Sequence, residues 1–184
     1  MRHTLTLHPD SHCDALTGIE AEGERLDSRH VLLRYFLYGE MSALRFPPRS
    51  QIRRGEKLWK HCCFEGFLRI GQSQTYYELN FAPSYEWAAY TFDSYRQGMR
   101  DENEIAIQYV VTVSNEKDHE LRVSYDIGRL PELSCDAELH LGLSAVIEET
   151  NGNKSYWALA HPPGAPDFHH KDCFALKLPP QKSA

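Results

Sequence analysis

The sequence predicts an all-β domain, drawn as an antiparallel two-sheet β-sandwich, and three observations predict it. Apolar and polar residues alternate with period two in segment after segment, as a strand with one buried face requires. Turn-forming clusters separate those segments: Pro9-Asp10, Pro47-Pro48, Gly71, Pro83-Ser84, Ser114-Asn115, Asn151-Gly152-Asn153 and Pro162-Pro163-Gly164. Helical periodicity is scarce. About ten short strands punctuated in this way suit two sheets packed face to face, with a closed barrel as the alternative architecture.

The first element is expected at Thr4 to His8, where Leu5 and Leu7 share one side, and the second at Val31 to Tyr38, a strongly apolar strand. The stretch from Leu58 to Arg96 holds the next strands. Within it, Cys63 to Ile70 places Phe64, Gly66, Leu68 and Ile70 on a core face, and Cys63, Glu65, Phe67 and Arg69 on the other. In the following strand Tyr77, Leu79 and Phe81 oppose Tyr76, Glu78 and Asn80. A helical turn is expected around Asp93 to Asp101. Strict alternation then makes Ile105, Ile107, Tyr109, Val111 and Val113 core, followed by Leu121, Val123, Tyr125 and Ile127, and by Leu139, Leu141, Leu143, Ala145 and Ile147. Tyr35, Tyr109 and Tyr125 are read as packing residues. Short runs at Ser155 to Ala160 and Phe174 to Leu178 close the pattern, and Pro179 to Ala184 reads as a frayed tail.

A chain of 184 residues fits one domain, 1–184, large enough to bury a core without disulfides or a structural metal. The formal net charge of -6 argues against nucleic acid, whose phosphates call for clustered Lys and Arg. Arg45, Arg49, Arg53 and Arg54 do cluster around Pro47-Pro48, and read as a solvated loop. No apolar run suits a bilayer, and the N-terminus MRHTLTLHPD lacks an apolar signal region, so a cytoplasmic setting is expected, with no membrane partner. Cys13, Cys62, Cys63, Cys135 and Cys173 form an odd, irregular set and are expected to be reduced thiols.

Side-chain parity gathers the candidate site. Glu65, Glu78 and Asn80 are expected side by side on the outward face of two adjacent strands. Carboxylates opposed on one sheet face repel by roughly 0.2 to 1 kcal/mol unless a cation or ligand hydroxyls lie between them. Arg69 or Arg96 could neutralise them in a surface network. Alternatively, the pair accepts hydrogen bonds from a polyol stacked on Trp59 or Trp87, because sugars offer C–H faces to aromatic rings and hydroxyls to carboxylates. A glycosidase would also need paired carboxylates, but nothing else in the chain supports hydrolysis, so no catalytic residue is assigned.

The segments LWKHCCFEGFL, YYELNFAPSYEWAAYTFDSYRQGM and SYWALAHPPGAPDFHHKDCFALKL resemble the bacterial DOMON-like proteins related to family 9 carbohydrate-binding modules. The resemblance covers nearly the whole chain. It implies a β-sandwich that binds a ligand, sugar in some members and haem in others, usually without catalysis. Family 9 modules hold a terminal sugar between two tryptophans, and Trp59, Trp87 and Trp157 are the candidates here. The resulting expectation is a small saccharide bound by Trp59, Glu65, Glu78, Asn80, Trp87, Arg96, Trp157 and His169, with no cofactor. A docking role toward a protein partner is a third reading, since interfaces also favour Trp, Tyr and Arg.

The rival chemistry is a redox domain. His169, His170, Asp172 and Cys173 crowd one segment and His61, Cys62 and Cys63 another, so imidazole and thiolate could gather a transition metal, although no standard zinc spacing is present. The resemblance implies that haem would be held by a Met-His pair, as in the haem-binding relatives of this fold, with Met41 and Met99 available. Calcium could draw on Asp93, Asp101, Glu102 and Glu104, which follow no recognisable loop spacing. A Cys-His nucleophile at His61 and Cys62 or Cys63 has the wrong geometry, because neighbours in a strand point to opposite faces.

Overall fold

The computed structural model describes residues 1–181 and is all-β. In chain order the strands are β1 (His3–Leu7), β2 (Leu16–Arg25), β3 (His30–Gly39), β4 (Arg53–Arg54), β5 (Cys63–Ile70), β6 (Tyr76–Phe81), β7 (Glu86–Phe92), β8 (Arg100–Asp101), β9 (Ala106–Ser114), β10 (Asp118–Asp126), β11 (Leu139–Glu148), β12 (Lys154–Ala158) and β13 (Leu176–Leu178). Three single 3-10 turns, at Met41–Ala43, Leu58–Lys60 and Lys171–Cys173, are the helical content of the described residues.

Hydrogen-bonded neighbours follow one path, β4-β7-β6-β5-β11-β12-β1-β2-β3-β10-β9, with β13 pairing alongside β11 and β8 alongside β7. The architecture is thus β-sandwich-like, a curled, mixed sheet whose two halves are joined through β1. β1 makes the corner: His3 to Leu5 pair with β2, whereas Thr6 and Leu7 pair with β12. A strand that changes partners part-way lets a sheet fold over on itself. The β4–β7 pair is parallel and supplies the mixed character.

The inner face carries the main core, built from Leu33, Leu37, Phe64, Leu68, Tyr77, Leu79, Phe81, Leu121, Val123, Leu141, Ala145 and Ile147 among others. Apolar burial on this scale, roughly 25 cal/mol per Å² of apolar surface, holds the curled halves together. Tyr35 crosses the interior to donate its hydroxyl to the main-chain oxygen of Glu65, 2.7 Å away. Gly66 leaves room there for Leu33, whose Cδ1 would have to shift if a Cβ stood 2.6 Å away.

Three local expectations are corrected. Tyr109, Val111 and Val113 are exposed by 39, 45 and 59%, not core. A β-bulge is the reason: Tyr109 pairs with Ser124 and Ile107 with Tyr125, leaving Gln108 over and reversing the parity, so that Val110 and Thr112 turn inward. Asp93 to Asp101 is no helical turn but a hairpin closed by a Ser94–Gln97 bridge and β8. Gly98 there has φ +71°, and a Cβ would collide with the Asp93 carboxyl. The run expected at Phe174 begins instead at Leu176, after the last 3-10 turn. Of the expected tail, residues 182–184 lie outside the described residues.

Candidate functional site

Strands β5, β6, β7 and β11 are covered on their second face as well. Cys63, Phe67, Tyr76, Ala88, Tyr90, Phe92 and Val146 form a smaller apolar cluster with Phe168 and Phe174, which lie on the segment that follows β12. The face predicted to point outward is therefore buried: Glu65, Glu78 and Asn80 are only 3, 5 and 0% exposed.

Register sets the floor. Glu65 lies opposite Asn80 on β6 and Ser144 on β11, while Glu78 lies opposite Phe67 and is therefore the diagonal neighbour of Glu65. Above this floor opens a cavity of about 400 Å³ lined by Trp59, Glu65, Glu78, Phe92, Arg96, Met99, Val146, Tyr156, Pro166, Phe168 and His169. Five of the eight expected residues thus meet: Trp59, Glu65, Glu78, Arg96 and His169. Asn80 lies beneath them, its Nδ2 donating to Glu78 Oε1 at 2.8 Å.

The remaining two lie elsewhere. Trp87 falls on the opposite face of β7 and packs against the main core with Arg54 over its ring at 4.5 Å. Trp157 is buried in that core, its indole N–H donating to Ser155 Oγ at 3.0 Å. Trp59 alone of the three tryptophans reaches the cavity, carried by the 3-10 turn Leu58–Lys60 and set edge-on to Tyr90 at 5.7 Å. The opposing aromatic walls, Tyr156, Phe168 and Phe92, were not expected.

The rim is latched. Arg96, in a left-handed conformation at φ +55°, donates its backbone N–H to Tyr76 Oη and its guanidinium to Asp167 at 2.7 Å, and Tyr95 donates to the same carboxylate. The bonds to Tyr95 and Arg96 hold the Asp167 carboxyl below its usual value despite burial. Tyr76 Oη is 2.9 Å from His169 Nδ1; with that nitrogen accepting, the Nε2–H faces Glu78 Oε2 at 3.7 Å. Burial, and then the Arg96 charge, press the His169 imidazole down to about 4, so it is neutral near pH 7.

The carboxyls behave oppositely. Burial, with Glu78 beside it, holds Glu65 well above the ordinary carboxylate range, and burial raises Glu78 despite the Asn80 amide and Arg96. The alternative of neutralisation by Arg69 or Arg96 does not form among the described residues. Arg96 pairs with Asp167, Arg69 reaches His140 and the Phe174 ring, and no arginine among the described residues bridges Glu65 or Glu78. Glu65 accepts no hydrogen bond from the described residues, and the Ser144 hydroxyl beside it is also unpartnered.

No protein-family model matches the sequence, and no curated protein matches it either. Solved structures do. A Bacteroides uniformis protein, provisionally described as carbohydrate-binding, superposes with a TM-score of 0.68 at 11% identity, over 94% of this chain and 83% of that one. A family 9 carbohydrate-binding module from Caldicellulosiruptor kristjanssonii, solved with cellotriose, gives 0.52 at 9% identity, over 89% and 74%. The fold is similar to theirs. At such identities the likeness speaks for the fold alone.

The metal-ligating segments do not converge. His61 and Cys62 line a different cavity, where His61 Nδ1 is 2.7 Å from Glu148 Oε2 and Cys62 contacts the Glu148 backbone. Cys173 Sγ lies 3.2 Å from the carbonyl oxygens of both Ala160 and Asp167, and its single S–H serves one of them. Burial pushes the Cys62 thiol up to about 11 and that of Cys173 up to about 12, away from the thiolate a metal or nucleophilic role needs. Among the described residues no group of three or more His, Cys, Asp or Glu is arranged to hold a metal ion. Of the four loop carboxylates open to calcium, two are otherwise engaged, Asp93 with Arg100 and Glu102 with Thr91.

Proposed function

We propose that this chain is a non-catalytic binding domain for a small saccharide, held between Trp59 and Phe168 with its polar edge on Glu65 and Glu78. One observation carries the reading: a buried carboxyl without a hydrogen-bond donor opens on a cavity walled by aromatic rings. Buried acceptors are nearly always satisfied, so a ligand bringing donors is the natural complement. A pyranose brings hydroxyl donors and an apolar C–H face together, and 400 Å³ lies in the range of small-ligand pockets. The likeness to a module solved with cellotriose supports the same reading.

Hydrolysis fits poorly. Glycosidase carboxyls flank the scissile bond from two sides, whereas Glu65 and Glu78 rise from adjacent strands of one wall. The DOMON-like haem reading would rest on Met99 and His169, which line this same cavity, but the His169 Nδ1 is already engaged by Tyr76 at 2.9 Å.

Calorimetry with a panel of mono- and disaccharides tests the proposal. Heat is expected with at least one sugar at millimolar concentration, and Trp59→Ala is expected to weaken that binding about tenfold or more. Trp87→Phe, remote from the cavity, leaves it unchanged. No heat with any sugar, or full affinity in the Trp59 variant, contradicts the reading.

A further inference from the structure

We propose that the Glu65–Glu78 end of the cavity takes an ammonium group, so that the preferred ligand is an amino sugar rather than a neutral one; this deepens, and rests on, the saccharide reading above. The acceptor inventory comes first. Of the four carboxyl oxygens of Glu65 and Glu78, only Glu78 Oε1 takes a hydrogen bond, from Asn80. Both oxygens of Glu65 lack a donor among the described residues, and Glu78 Oε2 has only His169 Nε2 at 3.7 Å, beyond hydrogen-bond range. Three acceptors are open. An alkylammonium carries three N–H donors, whereas a hydroxyl carries one.

Charge points the same way. Two neighbouring carboxyls at 3 and 5% exposure need a cation between them for both to ionise, and Arg96, the cationic side chain of the wall, is felt at Glu78 but bridges neither. His169 is neutral, and the Arg96 guanidinium is bound to Asp167 at 2.7 Å. The remaining walls include the aromatic rings of Trp59, Phe92, Tyr156 and Phe168, a residue type that favours a cation as well as sugar C–H bonds. A bound ammonium would offset the charge of the second carboxylate as a proton does in the empty pair, so amine binding is expected to displace a proton from the pair.

The experiment is calorimetry on the full chain with matched neutral and 2-amino hexoses of gluco, galacto and manno configuration, together with N-acetylglucosamine. It is run at pH 7 in two buffers of different ionisation heat. The expected result is at least tenfold tighter binding of an amino sugar than of its neutral and acetylated counterparts, with proton release seen as buffer-dependent heat. Glu65→Gln and Glu78→Gln, checked for folding by circular dichroism, should each shrink that preference. Equal affinity for amino and neutral sugars overturns the ammonium proposal and leaves the saccharide reading standing. A preference that survives both glutamine variants together overturns its assignment to this pair, and no binding of any sugar overturns both.

Discussion

At Glu65 folding and ionisation conflict. The side chain sits on the second face of β5 because its parity is opposite to that of Phe64 and Leu68, which the main core needs. Once there, it is covered. Its folded-state proton affinity lies above the ordinary value of 4.5, so the unfolded chain ionises first as pH rises, and stability is lost from that point upward. Glu65→Gln removes the conflict. Its thermal midpoint should match the parent near pH 4 and exceed it by about 2 to 4 °C at pH 8, the shift that roughly 1 kcal/mol produces in a chain of this size. Equal midpoints at pH 8 would count against an unpartnered carboxyl. Parity made Glu65, Glu78 and Asn80 legible in the sequence as one group. The same rule, applied to β11 and β12, would have added Val146 and Tyr156, because Ala145 and Trp157 face the core. Phe168 had no such signal: it lies in a segment without period, and only the fold brings it over the cavity.

At the scale of elements, β9 shows why alternation alone misleads. Val, Tyr and Ile at odd positions from Ile105 to Val113 look like a core face, yet one extra residue, Gln108, turns the distal half around. No glycine marks the bulge, so the sequence carries no local sign of it. Val110→Ala should cost roughly 1.5 to 3 kcal/mol by denaturant unfolding, as loss of buried apolar volume does. Val111→Ala should stay within about 0.5 kcal/mol. The reverse order would restore strict alternation and remove the bulge. β2 escaped the reading for a related reason. Its inward positions include Ala21 and Gly23, the latter facing Leu141 and Leu176, so the strand lacks the bulky apolar rhythm that marked its neighbours.

For the molecule as a whole, the all-β character and most strands could be read from period and turns, while the curl could not. It depends on β1 exchanging partners between Leu5 and Thr6, a decision made by contacts distant in sequence. Curling also buries histidines. Desolvation holds His119, stacked on Phe64, down to about 4, and His169 is held down to a similar value. Below the ordinary 6.5 the unfolded chain binds protons that these imidazoles refuse until about 4, so their contribution is complete above 6.5 and fades toward 4. Thermal stability should therefore fall by on the order of a few kcal/mol between pH 7 and pH 4, and His119→Gln should flatten that slope. An unchanged slope would place the acid sensitivity elsewhere.

The cavity over Glu65 and Glu78 as a saccharide site is the central claim, and a crystal of the chain soaked with the tightest-binding sugar from the panel tests it most directly. The account predicts a pyranose ring against the Trp59 indole, with a donor group within hydrogen-bond distance of Glu65. Sugar density seated away from Trp59, or none at saturating concentration with the Glu65 carboxyl turned from the cavity, would contradict it.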